Sequence, residues 1–378
     1  MSDTQKEFFA LVGAGLWETD VCLTSYETSD ADTLFQLAQE QSVVGLVAAG
    51  IAHIKNVKIL KADALQYIGQ TLQIEQRNSA MNTFISGLMQ KLLNDGIYTL
   101  LVKGQGIAQC YERPLWRSSG DVDLFLDDES YEKAKKLLIP LASNVEPESA
   151  FKKHLGLTID GWLVELHGSL RNGLSSKMDK ALDAIQKDTF FCGNVRTCLI
   201  GDAQVFMLGI ENDIIYVFSH ILDHFYKGGI GLRQECDWCR LIFCNHDNID
   251  LQLLEQRINQ MGVMSEWKAF GAFVVDWLGM PSDAMPFYSP DAKWSKKAVM
   301  IKDFIMEVGN FGHNRDNSYY ATKPFAIKKA ISFGRRLKDL YHHARIFPMD
   351  SIWFFWGITV NGVKAAIGRD TKNSNKRI

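Results

Sequence analysis

No apolar stretch of this chain is long enough to cross a bilayer. Its two most apolar runs, SVVGLVAAGIAHI (42–54) and SIWFFWGITV (351–360), fall short of the roughly 20 residues that a spanning helix needs. Prolines are few, eight in 378 residues, and no internal repeat or low-complexity tract is visible, which excludes repeat arrays and fibrous chains. A disulfide framework is disfavoured too. The seven cysteines (Cys22, Cys110, Cys192, Cys198, Cys236, Cys239, Cys244) are odd in number in a long chain, and MSDTQKEFFALVGAG lacks the basic region and apolar core of a leader. Reduced thiols in a cytoplasmic protein are therefore expected.

What is present suits a soluble globular protein of two or three domains: 47% apolar and 22% charged residues, enough to bury substantial cores. Net charge is only −3 but unevenly spread, since residues 323–378 hold 12 Lys/Arg against three Asp. That basic segment admits three readings. It could hold nucleic acid such as a tRNA acceptor, lie on an anionic membrane or partner with help from Trp353, Phe354, Phe355 and Trp356, or pack on the acidic body of its own chain.

Periodicity predicts helices over 32–54 and 61–95, the second with Met81, Phe84, Ile85, Leu88, Met89, Leu92 and Leu93 on one stripe. The pattern then changes to short β-prone runs at 97–103 and 121–126, an amphipathic helix over 128–142, and two alternating runs around Asp160-Gly161 within 154–170, a strong hairpin signal. A further strand is predicted at 195–201, after which Asp202 is placed as the N-cap of a helix. Helical spacing continues to about 345, ending in a basic amphipathic helix over 326–347. The expected fold class is α+β: an N-terminal helical region (1–74), a small mixed-sheet core (75–201), a helical domain (202–345) and a basic, aromatic segment (346–378).

Gly-Asp-Val-Asp at 120–123 interrupts a strand with two carboxylates one residue apart. Alternate side chains of a strand share a face, so Asp121 and Asp123 point one way and Val122, Leu124 and Leu126 the other. Two like charges about 7 Å apart at Cα repel, and a hard divalent cation, Mg²⁺ or Mn²⁺, relieves that repulsion. The plain alternative is a pair facing water. Glu165 lies in the second arm of the hairpin on the face of Leu163 and His167; if that strand lies beside the Asp strand, three carboxylates converge. Such a set, with two metals about 3.5–4 Å apart, describes a phosphoryl- or nucleotidyl-transfer centre. Upstream, Lys103-Gly104-Gln105-Gly106 follows a strand and opens a helix, so its backbone N–H groups could cradle phosphate, although the P-loop spacing and its Lys-Ser/Thr are missing.

Together these residues resemble the DNA-polymerase-β-like nucleotidyltransferase superfamily, nearest to its uncharacterised bacterial branch with a Lys-Gly turn and to abortive-infection-type toxins with an Arg-x-Ser-x-Asp-x-Asp pattern. Here that pattern is Arg117, Ser119, Asp121 and Asp123, with Val-Glu-Leu-His at 164–167 downstream. The likeness covers 95–170 and extends loosely to SHILDHF, LRQECDW and GNFGH. It implies Asp121, Asp123 and Glu165 as catalytic metal ligands, Gly104 as the phosphate-turn glycine, and Gln105 where many members have Ser or Gly. Sixteen residues separate Gly104 from Asp121, more than in compact members. Arg117 would either grip the triphosphate or bridge to a neighbouring Asp. Lys103 would neutralise phosphate or end its strand in solvent, and Ser119 would touch phosphate or cap the turn.

Other candidates sit in the helical part. His220 and His224 are four apart with Asp223 between, but Ile221 stands where a metal-protease motif has Glu, so a pocket or core role is expected. His167 either meets substrate or packs. Cys236-x-x-Cys239 has no second pair and supports neither zinc nor redox chemistry. Arg233 and Asp237 are spaced as an ordinary helical ion pair, although the resemblance implies a second domain that often contacts nucleotide or acceptor. The resulting expectation is a metal-dependent enzyme that moves an NMP from an NTP to a hydroxyl of a small molecule such as a sugar or aminoglycoside, a protein or an RNA end. The competing class is a non-catalytic module that kept the fold and binds nucleotide or a partner.

Overall fold

The computed structural model describes residues 2–24, 28–149, 153–309 and 325–360. Residues 310–313 of GNFGH, and 323–324 and 361–378 of the basic segment, lie outside them. Three helices, α1 (Asp3–Trp17), α2 (Thr28–Glu40) and α3 (Val44–Ala52), precede the long α4 (Lys61–Asn94). Small residues let α1 and α3 cross closely: a Cβ on Gly15 would lie 1.9 Å from the Leu46 carbonyl oxygen, so any larger residue would drive the helices apart.

Seven strands follow: β1 (Leu100–Val102), β2 (Val122–Phe125), β3 (Asn144–Val145), β4 (His154–Ile159), β5 (Trp162–His167), β6 (Val195–Ile200) and β7 (Ala203–Leu208). They form one mixed sheet in the order β3-β4-β5-β2-β1-β7-β6, which bears out the α+β expectation. The helices α5 (Gly104–Ala108), α6 (Asp128–Leu138) and α7 (Ser176–Phe191) interleave with the strands. Strand alternation sorts the two faces. Val122, Leu124 and Leu126 enter a core with Met81, Ile85 and Leu88 of α4 and Tyr131, Ala134 and Leu138 of α6, while Leu100, Val102, Phe125 and Leu208 belong to a larger core shared with the later helices.

One expectation fails in this region. Residues 203–208 are a strand, not the start of a helix capped by Asp202. Gly201 (φ 58°) and Asp202 form a two-residue turn that pairs Ile200 with Ala203, and the returning strand lies parallel to β1. The apolar run at 203–208 satisfies either period. What decides is the turn at Gly201 and the vacant pairing edge of β1, which is far away in sequence.

The helical part comprises α8 (Ile210–Lys227), α9 (Leu232–Asn245), α10 (Leu251–Met261), α11 (Met264–Leu278), α12 (Ala292–Val308) and α13 (Phe325–Ile346). Residues 348–360 are helical as well. In that last helix Phe354 is buried, whereas Trp353 and Trp356 are 67% and 60% exposed, so part of the aromatic cluster packs inward and part faces solvent. No helix among the described residues is long and apolar enough to cross a membrane.

Candidate active site

A cavity of about 330 Å³ lies between the polar face of the sheet and the helices α8 and α9. Its floor begins where β1 ends. Lys103 has φ 57° and ψ −148°, and Gly104 has φ 44°. Glycine populates positive φ freely, while a lysine held there stores about 1–3 kcal/mol of strain. An ion pair offsets that strain: Lys103 Nζ lies 2.7 Å from Asp123 Oδ1, with the lysine side chain largely buried. Lys103 therefore neither ends its strand in solvent nor stands apart from the carboxylates.

The parallel pairing of β2 with β5 sets Asp123 directly beside Glu165, as the convergence of three carboxylates requires. One oxygen from each of Asp121, Asp123 and Glu165 lies within 4.8 Å of the others. The charges are unequal in their surroundings. Asp121 is pushed above the usual carboxylate range, first by the charge of Asp123 and then by burial. Burial would raise Asp123 as well, but Lys103 and His167 outweigh it and hold it low. Glu165 is likewise penalised by burial, yet its bonds to His154 and His167 hold it far below its ordinary range. His167 Nε2 stands 2.8 Å from Asp123 Oδ1 and 3.5 Å from Glu165 Oε2. Burial disfavours its charged form, but these two carboxylates raise its pKa.

The opposite wall comes from α8 and α9. His220 and His224 stand one turn apart with their Nε2 atoms 3.0 Å from each other. Burial, and next the charge of Lys103, press His220 well below its usual value; His224 is lowered to about 4, chiefly by burial. The pair is thus two neutral imidazoles lining the cavity, together with Tyr216 and Asp223.

The two arginines of this region have different partners. Arg117 Nε and Nη2 donate to Asp237 Oδ1 and Oδ2 at 2.6 and 2.7 Å, and Tyr111 donates to the same carboxylate at 2.7 Å. Asp237 is therefore committed to Arg117, which leaves no ordinary pair between Arg233 and Asp237. Arg233 Nη1 donates to the Ser118 carbonyl at 3.0 Å, its Nε is buried without a partner, and it faces the cavity. Burial depresses its pKa, the adjacent Arg117 adding to the effect.

The long segment between Gly104 and Asp121 is an ordered brace. Arg113 forks onto Glu18 at 2.8 and 3.0 Å, Asn78 of α4 donates to the carbonyls of Leu115 and Arg117, and a Cβ on Gly45 would meet the Trp116 carbonyl oxygen at 2.1 Å. The N-terminal helices thus hold the strap that delivers Arg117 and Asp121. Gln105 belongs to this bracing: its amide donates to Asn82 Oδ1 at 2.9 Å, away from the cavity. Ser119 caps nothing, its hydroxyl being buried without a partner. Cys236 and Cys239 are buried and belong to none of the potential metal groups among the described residues.

Two floor and wall residues escaped the sequence reading. His154 pairs with His167 across the hairpin and places Nε2 3.0 Å from Glu165 Oε2; counting back from the two-residue Asp160-Gly161 turn would have found it. Tyr216 carried no such local signal, because only the docking of α8 on the sheet brings it to Lys103.

Residues 27–279 match the model of a family described as an uncharacterised nucleotidyltransferase. None of the curated proteins matches. Among solved structures, an antigenic nucleotidyltransferase-like protein from Paracoccidioides brasiliensis is similar at 18% identity over 53% of this chain and 92% of that one, with a TM-score of 0.30, a likeness too slight to carry an argument.

Proposed function

The chain belongs to the uncharacterised nucleotidyltransferase family, and from that premise we propose that it moves an NMP from an NTP to a hydroxyl acceptor in a metal-dependent reaction that releases pyrophosphate. The observation that carries this reading is the convergence of Asp121, Asp123 and Glu165 inside the cavity. Their hard oxygen donors and mutual repulsion fit Mg²⁺ or Mn²⁺. When bound, such a cation would neutralise charge developing on the phosphates and lower the pKa of an oxygen on it.

The rest of the chemistry falls to the chain. Acceptor oxygen bonds to the α-phosphorus as the bond to the bridging oxygen breaks, and pyrophosphate leaves with that electron pair. The acceptor's proton passes to a base or to water. Glu165, beside Asp123 on the neighbouring strand, would act as that base directly or hold the cation that activates the acceptor. Arg233, which lines the cavity and has a buried unpartnered Nε, would be the guanidinium that meets the triphosphate. At the turn, the N–H groups of Gly106 and Ile107 close onto the Lys103 carbonyl, so a phosphate cradle there would use those of Gly104 and Gln105.

A second reading has one observation in its favour. Asp123 Oδ1 is already engaged by both Lys103 and His167, as in a module that binds nucleotide or a partner without turnover. Incubation with each α-³²P-labelled NTP and Mg²⁺ or Mn²⁺, with total RNA, protein extract or small metabolites, separates the two. Label entering one fraction, and lost in Asp121→Asn/Asp123→Asn, is the expected result and names the acceptor class. Metal-dependent NTP binding without transfer under any condition would replace the enzyme reading with the binding module.

A further inference from the structure

The floor holds a second donor set that nucleotidyl transfer does not require. His154 opens β4 and His167 closes β5, paired across the hairpin, so both imidazoles rise from the same face of the sheet beside Glu165. Each directs Nε2 at the same carboxylate oxygen, at 3.0 Å from His154 and 3.5 Å from His167. One donor atom from each of the three residues lies within 4.8 Å of the others. Asp123 Oδ1, 2.8 Å from His167 Nε2, stands at the edge of the same cluster. All of these groups line the cavity, so an ion reaches them without local unfolding.

We propose that His154, His167 and Glu165 form a site for a transition-metal dication of the Zn²⁺ class, adjoining the all-oxygen trio and sharing Glu165 with it. The spacing supports this. Bonds of about 2.0–2.2 Å from such a metal to nitrogen or oxygen imply donor–donor edges of about 2.8–3.1 Å in an octahedral site and about 3.3–3.6 Å in a tetrahedral one; the His154 edge lies in the first range and the His167 edge in the second, so a small adjustment of either side chain brings both to one geometry. The donor chemistry differs between the halves of the floor. Imidazole nitrogens with one carboxylate favour Zn²⁺ and its first-row neighbours, whereas carboxylates alone favour Mg²⁺ and Mn²⁺. Two adjacent sites of unlike preference are the consequence, with Glu165 as the bridge. This goes beyond the transfer reading, which needs only the oxygen trio, and it stands or falls separately from it.

The test is titration of the purified full chain with Co²⁺ in excess Mg²⁺, read from the visible absorption of bound cobalt, followed by displacement with Zn²⁺. Saturable absorption that Zn²⁺ abolishes is expected, with affinity lowered about tenfold or more in His154→Ala and His167→Ala and by much less in Asp121→Asn. His154→Gln separates folding from binding, because it keeps a polar group beside Glu165 without an imidazole nitrogen; it too should lose the tight site. Absence of saturable absorption, retention of full affinity in His154→Gln, or loss in Asp121→Asn with retention in the histidine variants would overturn the proposal. None of these readouts depends on nucleotide transfer.

Discussion

The floor and the wall of the cavity are built on opposite electrostatic plans. On the floor, strands fix Asp121, Asp123, Glu165, Lys103 and His167 within bonding reach, and charges are balanced by charges: Lys103 and His167 hold Asp123 down, while Asp123 pushes Asp121 up. The wall hangs on α8 and α9. Its His220 and His224 are pressed toward the neutral form mainly by burial, and the charge pair of Arg117 with Asp237 is buried. The difference teaches what each side is for. Balanced charges on rigid strands suit ions and phosphates, whereas the wall combines neutral imidazoles with the Arg233 guanidinium, which suits hydrogen bonding to a bound molecule and contact with its phosphates.

The sharpest break in that comparison comes from the two floor aspartates, which should part company. Both Asp121→Asn and Asp123→Asn are expected to lower label transfer by on the order of 10³-fold or more, the scale of removing a central electrostatic group. Stability should separate them. Asp123→Asn leaves Lys103 buried without its counter-charge and is expected to cost about 3–5 kcal/mol; Asp121→Asn removes a repelled carboxylate and should leave chemical denaturation unchanged or shifted to higher denaturant. Equal destabilisation by both would show that the floor charges are not balanced as described.

On the wall, the two arginines give the next largest contrast. Arg117→Met strands the buried Asp237 and should destabilise by about 3–5 kcal/mol, with any loss of NTP affinity following from misfolding. Arg233→Met should fold normally yet weaken NTP binding about 10- to 100-fold, the loss of one or two charge-assisted hydrogen bonds. Equilibrium NTP binding and urea unfolding on both variants would decide this, and the reverse pattern would return Arg117 to the triphosphate.

The smallest effect is spread over pH. His224 titrates near 6.5 when unfolded but at about 4 in the fold. Between those values the unfolded chain binds a proton that the folded chain does not, so stability is fully present above about 6.5 and is lost as pH falls toward 4. At roughly 1.4 kcal/mol per unit the loss amounts to roughly 3–4 kcal/mol. His224→Gln should flatten that part of the stability–pH curve; an unaltered slope would mean that the imidazole pair is not held neutral.

Much of the floor was legible in the sequence, because its determinants are local. A Lys-Gly turn after an apolar run, Asp-x-Asp in the next strand and an Asp-Gly hairpin each follow from neighbouring residues, and the strand period alone puts Asp121 and Asp123 on one face. The pairing of β2 with β5 was only conditional there, and it proved to be the contact that brings Glu165 to the aspartates. The wall was far less legible. That Asp237 would choose Arg117 over Arg233, that Gln105 would turn to Asn82, and that 203–208 would fill the edge of β1 are all decided by partners 23 to 120 residues away. For Asp237 local spacing favoured Arg233 and for 203–208 it favoured a helix, and tertiary packing overrode both.

The central claim, that Asp121 anchors a metal-dependent nucleotide site on the floor, is tested most directly by thermal unfolding of the wild-type and Asp121→Asn chains with NTP alone, Mg²⁺ alone and both together. A rise in Tm that needs both ligands and disappears in Asp121→Asn is the predicted result. An equal rise in the variant, or one that NTP produces without the metal, would contradict it.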